Sequence, residues 1–309
     1  MIDVALLGTG GMMPLPHRFL SSVLIRHAGR LILMDAGEGT QVAMRGVGWG
    51  FKQVDAILVT HLHADHVGGI LGVLLMAMNS GRTDPLDIYG PEQTAIAIRG
   101  LCCVMPAPGF YIRVTELSGG EQFAIGALQA TCAAGEHRMP VLGYRLDLPR
   151  APRFDTAAAV SRGVPKALWS ALQHGQPVAL DGQMVEPSSV TGPARRGLRF
   201  TFITDTRPSE QLRMLASDSD LLVCEGTYGD PDDRPKAVAH RHMTFAEAAT
   251  LAKDANVLRL WLTHFSPSMA DPGRWEAAAR SIFDATTVGH DSLTTALHYH
   301  DEGSPTREP

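Results

Sequence analysis

The sequence predicts a layered α/β fold, and two features of the chain carry that prediction. Apolar segments of about four to eight residues alternate with longer helical patterns, the rhythm of strands that alternate with helices. Polar side chains able to bind metals directly follow several of the apolar segments, as sites do at the carboxyl ends of strands in open α/β sheets. With 309 residues, of which 45% are hydrophobic, the chain can fill one large core. We expect one domain over residues 1–301 and a disordered polar tail over 302–309.

The predicted strands are short runs rich in apolar and β-branched residues, bounded by glycine, proline, aspartate or asparagine. A tight turn at 8–11 ends the first of them, and its glycine spacing does not match the G-x-G-x-x-G dinucleotide motif. The second and third flank Ala28-Gly29 and predict a hairpin. In order, the predicted strands cover residues 2–7, 22–27, 30–34, 56–59, 86–89, 122–133, 141–146, 199–204, 220–224 and 257–262.

The predicted helices have their own start signals. Pro91 suits the first turn of a helix, and Thr244 and Glu247 form a capping box, in which each side chain can bind a free backbone amide. The segment 70–79 is almost wholly apolar, so we expect it to be deeply packed. The predicted helices cover residues 41–45, 70–79, 91–104, 207–216 and 244–255, with a last long helix that starts at Asp271-Pro272.

Composition and charge argue against a globally basic protein, a disulfide-bonded protein and a membrane protein. The formal net charge is −5, so no global basic field indicates nucleic-acid binding, and local patches would have to supply it. Four cysteines without C-x-x-C spacing predict reduced thiols in a cytoplasmic protein. The N-terminus lacks the pattern of a signal peptide, and the longest apolar stretch, 70–78, is too short to cross a bilayer. We expect no membrane partner.

Residues 147–198 differ from the rest of the chain. Prolines and glycines accumulate there, and basic residues are locally dense. The basic residues in and beside this segment are Arg145, Arg150, Arg153, Arg162, Lys166, Arg195, Arg196 and Arg199. Composition alone leaves two interpretations open, a projecting excursion and an ordinary solvated connection.

One run, residues 60–69, concentrates ligand-type side chains directly after the strand predicted over 56–59. Its three imidazoles and one carboxylate are His61, His63, Asp65 and His66. Borderline cations such as zinc favour these donors. In extended backbone His61 and His63 project side by side, while Asp65 and His66 turn toward a second position. The run predicts a metal site, and two cations a few ångströms apart would suit hydrolysis of a phosphodiester or an acyl bond.

Further ligand-type side chains come from distant parts of the sequence. Asp205, Glu225 and His264 each follow a predicted apolar strand, as His61 does, and His137 follows the strand predicted over 122–133. Because the carboxyl ends of strands gather in one region of an α/β fold, we expect these side chains to converge with the 60–69 run.

These motifs together resemble those of the ribonuclease Z family within the metallo-β-lactamase superfamily. The matching segments are Asp35-x-Gly37-Glu38-Gly39-Thr40-Gln41, His61-x-His63-x-Asp65-His66, His137 followed by Gly143-Tyr144-Arg145, Thr204-Asp205-Thr206-Arg207-Pro208, Glu225, the 242–249 segment and Thr263-His264-Phe265-Ser266-Pro267. The resemblance spans residues 2 to about 268. It implies a four-layer αβ/βα sandwich and an endoribonuclease that removes 3′ trailers from precursor tRNA.

The resemblance also implies the roles of individual residues. His61, His63 and His137 would hold a first Zn²⁺, Asp65, His66 and His264 a second, and Asp205 would bridge the two, although Mn²⁺ or another divalent ion could serve. A metal-activated hydroxide would attack the phosphodiester, with Asp65 orienting or deprotonating it. Glu225 would hold His242, which would stabilise the phosphoryl oxygens or protonate the leaving 3′-oxygen. Asp35, Glu38 and Thr40 are expected to fix a helix start and the loop beneath the site.

Members of the family also carry an arm that grips the tRNA elbow, and the resemblance implies a homodimer. Residues 147–198 are the candidate arm. The segment 163–169 resembles part of the family pattern, but Lys166-Ala167 interrupts the Gly-Pro-Leu that usually follows the proline.

Three other functions are compatible with parts of the pattern. A small-molecule phosphodiesterase would use the same metal ligands, and so would a lactonase or a thioesterase, although an acyl substrate would not need Glu225 and His242. A non-catalytic RNA-binding protein is the alternative from another class, and it would not need seven candidate ligands.

Overall fold

A computed structural model describes residues 1–299 of the chain. The predicted tail at 302–309 and the last two residues of the predicted domain lie outside the described residues. The described residues divide into a pair of compact units, one formed by Met1–Asp147 and Arg199–His298, the other by Leu148–Leu198 with Tyr299. The first unit contains two clusters of buried apolar side chains, and the second unit contains one.

The first unit begins with one mixed sheet and the helices that cover it. Its elements are β1 (Ile2–Gly8), β2 (Ser22–His27), β3 (Arg30–Met34), α1 (Thr40–Val47), β4 (Val54–Leu58), α2 (Ala64–Val67), α3 (Ile70–Asn79), β5 (Leu86–Gly90), α4 (Thr94–Cys102) and β6 (Ile112–Glu116). A late strand, which carries the label β16 (Thr294–Leu297), completes the sheet in the order β16-β1-β2-β3-β4-β5-β6. The predicted hairpin forms between β2 and β3, and β3, β4, β5 and β6 run parallel.

The later part of the chain forms a second sheet with its own helices. Its elements are β7 (Gln122–Ile125), β8 (Leu128–Ala134), β9 (Leu142–Arg150), β12 (Arg195–Ile203), α7 (Glu210–Ala216), β13 (Leu221–Glu225), α8 (Arg234–His240), α9 (Phe245–Asp254), β14 (Leu260–Thr263), α10 (Glu276–Ile282) and β15 (Thr286–Val288). The strand order is β15-β14-β13-β12-β9-β8-β7. The strands from β12 to β15 are parallel, so their carboxyl ends share one edge.

The two sheets face each other and carry helices on their outer sides. The Tyr144 hydroxyl on β9 donates to the Val59 carbonyl beside β4 at 2.8 Å, and the Leu142 amide donates to the Thr60 carbonyl at 2.9 Å. Buried side chains of α1, α3 and α4 pack on the first sheet, and those of α7, α9 and α10 on the second. This arrangement confirms the predicted four-layer αβ/βα sandwich.

Several predicted elements are wrong in their bounds. The strand predicted over 122–133 is a hairpin of β7 and β8, because Gly126 adopts a φ of +59° and turns the chain. The last long helix is instead a 3₁₀ turn, Pro272–Trp275, followed by the seven residues of α10. Helix α4 starts at Thr94 rather than at Pro91, after Gln93 in the left-handed region.

The second unit contains regular structure that the composition did not predict. Its elements are α5 (Thr156–Ser161), α6 (Lys166–Gln173), β10 (Val178–Leu180), β11 (Gln183–Val185) and a 3₁₀ turn at Pro187–Ser189. Ala159, Val164, Leu172, Val178 and Val190 form its buried cluster. The unit is therefore a small folded body, and Lys166, at the exposed start of α6, leaves that cluster undisturbed.

No helix among residues 1–299 is long and apolar enough to cross a bilayer.

Candidate metal centre

The 60–69 run leaves the carboxyl end of β4 in extended backbone and then turns into the short helix α2. His63 is the last extended residue, with φ −66° and ψ 148°, so Asp65 and His66 lie within the first turn that follows. This local change of direction separates the donors of His61 and His63 from those of Asp65 and His66. His61 and His66 are fully buried, whereas His63 and Asp65 are half-buried.

Four of the predicted ligands form a first group. The ligand atoms of His61, His63, His137 and Asp205 all lie within 4.8 Å of one another. His63 Nδ1 is 3.0 Å from His61 Nε2 and 3.4 Å from His137 Nε2. Asp205 Oδ2 lies 3.6 Å from His61 Nε2. Three imidazole nitrogens and one carboxylate oxygen thus surround one point.

The remaining ligands form a second group. Asp65 Oδ2 lies 3.6 Å from both His66 Nε2 and His264 Nε2, and these two nitrogens are 3.3 Å apart. The other oxygen of Asp205, Oδ1, is 3.1 Å from His264 Nε2 and 3.3 Å from His66 Nε2. Asp205 therefore directs one oxygen toward each group.

These separations fit divalent cations. A tetrahedral zinc with bonds of about 2.0–2.1 Å places its ligand atoms about 3.3–3.4 Å apart, and the distances in the two groups scatter around that value. The donors are imidazole and carboxylate, which zinc and similar ions prefer. The buried His and Asp cluster is thus suited to bind divalent metal.

Burial sets the protonation of the first group. It lowers the pKa of His61, His63 and His137, because an imidazolium is costly to desolvate. Neutral imidazoles offer a lone pair to a cation. The first group is therefore ready to bind metal at neutral pH without losing protons from these rings.

The second group is more strongly charged. Burial alone would raise the pKa of Asp65 and Asp205, but the histidines around them outweigh it and lower both, so both are carboxylates at neutral pH. Burial alone would lower the pKa of His66, but the Asp205 carboxylate and a second carboxylate outweigh it and raise that pKa well above its ordinary value. A cation that binds His66 Nε2 must displace a proton.

The second carboxylate is that of Asp35, which sequence reasoning assigned partly to a helix start. That assignment is wrong, since α1 begins after Gly39 without a side-chain cap. Asp35 instead accepts hydrogen bonds from the Thr60 amide and hydroxyl and from His66 Nδ1, each at 2.7 Å. It fixes the ring of a predicted ligand, a role that commonly raises metal affinity.

Backbone strain marks the same positions. Asp35, Asp205 and His264 adopt φ of +54°, +51° and +57°, in the left-handed region that residues other than glycine rarely occupy. Such strain is concentrated at functional sites, where the surrounding structure maintains it. The sequence carries no visible signal for it.

Glu225 and His242 lie together beside the two groups. Glu225 is fully buried, and its Oε2 lies 3.1 Å from His242 Nδ1 and accepts the Met243 amide at 3.0 Å, while Oε1 accepts the Thr206 amide. Burial alone would lower the pKa of His242, but the Glu225 carboxylate raises it to about 9. His242 is therefore an imidazolium at neutral pH in the metal-free protein.

The position of His242 also permits a role as a metal ligand. Its ligand atom lies within 4.8 Å of those of Asp205 and His264, so these three form a third possible group. His242 Nδ1 is nevertheless nearer to Glu225 Oε2 than to Asp205 Oδ2, which is 3.9 Å away.

Arg207 contacts the loops around the centre, although sequence reasoning gave it no role there. It makes a two-pronged ion pair with Glu247, and it donates to the His242 carbonyl. Its backbone amide donates to the Glu136 carbonyl beside His137. It thereby connects the three loops that carry Asp205, His137 and His242.

Gly11 packs directly against a predicted ligand, and substituting it tests the site. A Cβ at Gly11 would lie 2.6 Å from the His264 ring. We expect Gly11→Ala to displace that ring and to weaken zinc binding by about 10- to 100-fold, the range seen when a ligand loses its orientation. Equilibrium zinc titration measures this effect. Gly46→Ala, on α1 with no atom within 4 Å of its added Cβ, is the matched control and should bind zinc normally. Equal affinity in both variants would contradict the placement of His264.

The fold and this cluster define a metal-dependent hydrolase of the metallo-β-lactamase fold. Among solved structures, the short form of human tRNase Z aligns with a TM-score of 0.69 and 24% identity, over 96% of this chain and 99% of that one. The metallo-β-lactamase fold protein YhfI from Bacillus subtilis aligns with a TM-score of 0.69 and 17% identity, over 95% and 98% of the two chains. At these identities the likeness confirms the fold.

Sequence relatives identify the family. Ribonuclease Z of Clostridioides difficile is 43% identical over 305 residues, which cover 97% of this chain and all of the relative. Ribonuclease Z of Clostridium kluyveri is 40% identical over 303 residues, with 97% and 100% covered. The chain belongs to the ribonuclease Z family. A family model described as anti-Pycsar protein Apyc1 matches residues 2–105, the segment that contains the 60–69 run.

Proposed function

We propose that this protein is an endoribonuclease that binds two Zn²⁺ ions and removes the 3′ trailer from precursor tRNA, cutting after the discriminator nucleotide and leaving a 3′-hydroxyl. The position of Asp205, with one carboxylate oxygen directed at each group of ligands, is the observation that most supports two cations. Kinship with ribonuclease Z supports the substrate.

The chain's own residues account for binding and orientation at the cations. His61, His63 and His137 would hold one ion, Asp65, His66 and His264 the other, and Asp205 would contact both. Two cations there would lower the pKa of a water between them and offset the negative charge of the phosphoryl group. Asp65, whose carboxylate is held by a hydrogen bond from the Met12 amide to Oδ2 at 2.7 Å, would orient the attacking water. Its lowered pKa favours orienting that water over taking its proton.

Glu225 and His242 would act where negative charge develops, at the phosphoryl oxygens and the leaving 3′-oxygen. With Nδ1 bonded to Glu225, His242 has Nε2 available to hold a transferable proton. An imidazolium there can donate to a phosphoryl oxygen or to the leaving 3′-oxygen as negative charge develops. Glu225 orients the ring and favours its charged form.

The raised pKa of His242 predicts how the rate of cleavage declines at alkaline pH. His242 loses its proton as the pH rises through about 9 in the metal-free protein, and bound cations nearby would bring that loss to lower pH. We therefore expect single-turnover cleavage to decline at or below pH 9. Glu225→Gln removes the charge that favours the imidazolium, so the decline should begin at lower pH. An alkaline limb that is identical in the variant and the wild type would contradict the pairing.

Cleavage of a 3′-extended tRNA, with the product ends mapped, tests the proposed function. We expect one cut after the discriminator nucleotide, dependent on added zinc or manganese and abolished by a chelator. Turnover of a nitrophenyl phosphodiester without any cut in the tRNA would favour the small-molecule phosphodiesterase. A folded protein that binds tRNA but no metal would support the non-catalytic alternative.

The second unit is proposed to be the tRNA-binding arm. Of the basic residues noted in the sequence, Arg145 and Arg199 belong to the first unit, where both pair with Asp147 at 2.8 Å. The others lie in the second unit and could contact phosphates: Arg150, Arg153, Arg162, Lys166, Arg195 and Arg196.

Replacing residues 151–194 with a short glycine-serine linker tests the arm. We expect KM for precursor tRNA to rise by at least about tenfold and KM for a small phosphodiester to change less than about twofold, because only the tRNA spans phosphates outside the metal centre. Arg162→Gln with Lys166→Gln removes two exposed charges from the unit and should give an intermediate rise. Equal changes for both substrates would exclude an arm in this segment.

Two further proposals concern assembly and location. Leu71 and Leu75 are half-buried and lie one turn apart on the same face of α3, an apolar surface that suits a homodimer. Sedimentation should show a dimer that Leu75→Glu dissociates, and a wild-type monomer would contradict the proposal. Cys102, Cys103, Cys132 and Cys224 are all free thiols in the described residues, which supports a cytoplasmic location.

A further inference from the structure

Thr227 lies between a predicted metal ligand and the buried carboxylate. It follows β13 by two residues and is buried, with 6% of its surface exposed. Its hydroxyl is 2.6 Å from Glu225 Oε2 and 3.0 Å from His264 Nδ1. Both neighbours belong to the centre, but neither the motif analysis nor the proposed mechanism uses Thr227.

The direction of these hydrogen bonds follows from the chemistry of the three groups. A carboxylate at Glu225 only accepts hydrogen bonds, so the single hydroxyl proton of Thr227 is donated to Oε2. The Thr227 oxygen is then left as an acceptor for His264, whose Nδ1 must carry a proton to donate. In that tautomer Nε2, on the side of Asp65 and Asp205, presents its lone pair.

A second chain of the same form occurs within the centre. Thr60 donates to Asp35 Oδ2 at 2.7 Å and lies 3.1 Å from His61 Nδ1, while His66 Nδ1 bonds the same Asp35 oxygen. In both chains a threonine joins a histidine to a buried carboxylate, and the carboxylate holds a second histidine. The recurrence indicates a common way of fixing imidazole tautomers.

We propose that Thr227 is a positioning residue that sets the metal-binding tautomer of His264 and couples this ligand, through Glu225, to His242. The inference rests on the proposed function in one respect, the role of His264 as a ligand. Because Glu225 Oε2 accepts from both Thr227 and His242, loss of the threonine hydroxyl frees His264 to rotate and leaves Glu225 with one donor fewer. Loss of the hydroxyl should therefore lower both the zinc affinity and the rate of cleavage.

Three substitutions separate this role from packing. Thr227→Val keeps the shape and removes the hydroxyl, while Thr227→Ser keeps the hydroxyl and removes the methyl group. Thr263→Val is the matched control, since Thr263 immediately precedes His264 and its Oγ1 is buried without a hydrogen-bond partner among the described residues. Circular dichroism and thermal unfolding establish that each variant is folded.

Zinc affinity, measured on the full-length metal-free protein by competition with a chromophoric chelator, is the readout. We expect Thr227→Val to weaken one of the two zinc-binding steps by about 10- to 100-fold, the usual effect of losing a ligand's orienting partner. Thr227→Ser should restore the affinity, and Thr263→Val should match the wild type. In the zinc-loaded protein, ¹⁵N NMR should show the His264 proton on Nδ1 in the wild type and a mixture of Nδ1–H and Nε2–H rings in Thr227→Val.

Failure of this inference is distinguishable from failure of the proposed function. If the wild type binds two zinc ions and Thr227→Val binds them equally well with the same tautomer, the role of Thr227 is wrong and the metal centre stands. If the wild type binds no zinc, the proposed function fails, and with it the role assigned to Thr227.

Discussion

Asp205→Ala is expected to abolish hydrolysis and to strip metal from both groups of ligands. Asp205 is the one predicted ligand whose two oxygens approach both groups, Oδ2 toward His61 and Oδ1 toward His66 and His264. Its removal also leaves His66 without one of the carboxylates that balance its charge. We expect turnover of precursor tRNA to fall by more than about 1,000-fold, since the metal-activated water and the charge stabilisation are lost together.

The measurement pairs zinc content with single-turnover cleavage. Asp205→Asn, which keeps the shape and one oxygen donor, should retain some of the metal and lose most of the activity. Asp284→Ala removes an exposed carboxylate on the surface and should leave both quantities unchanged. An Asp205→Ala protein that holds two zinc ions would show that Asp205 does not join the groups.

His242→Ala is expected to separate chemistry from metal binding. His242 Nδ1 bonds Glu225, and the two groups described above would hold their proposed cations without it. We expect kcat to fall by about 100- to 10,000-fold, the usual range for loss of a general acid, with zinc content and KM little changed. The alkaline limb of the pH profile should disappear with the imidazole.

His240→Ala is the matched control for this substitution. His240 lies on α8, two residues before His242, and bonds the Tyr228 hydroxyl at 2.7 Å. The His240→Ala variant should cleave precursor tRNA at nearly the wild-type rate. Loss of a zinc ion from His242→Ala would instead identify His242 as a ligand, in the third grouping with Asp205 and His264.

The seven candidate ligands stand out in the sequence because each lies in the 60–69 run or follows a predicted strand, and the family resemblance implied their grouping. Parallel strands bring their carboxyl ends to one edge, so Asp205, Glu225 and His264 had to meet once β12, β13 and β14 were adjacent. The order of strands in the sheets, by contrast, could not be predicted, because strand pairing over long sequence separations leaves no local pattern, and the family resemblance supplied only the four-layer arrangement.

The partners that hold the ligands could not be predicted in the same way. Asp35 reaches His66 across 31 positions, and Thr227 reaches His264 across 37. Both contacts depend on backbone and tertiary geometry, including the left-handed φ of Asp35 and His264, which no local pattern encodes. The sequence marked residues 147–198 as a distinct segment, but the regular structure of the second unit was missed for a related reason. Its short helices are separated by glycines and prolines, which predicted irregular chain, and its small core becomes visible only when those helices pack together.

Anomalous diffraction at the zinc absorption edge, from crystals of the full-length protein grown with zinc, tests the central claim most directly. Two peaks are expected, one among His61, His63 and His137 and one among Asp65, His66 and His264, with an Asp205 oxygen near each. A single peak, or peaks bound elsewhere on the chain, would contradict a centre in which these seven side chains hold two cations.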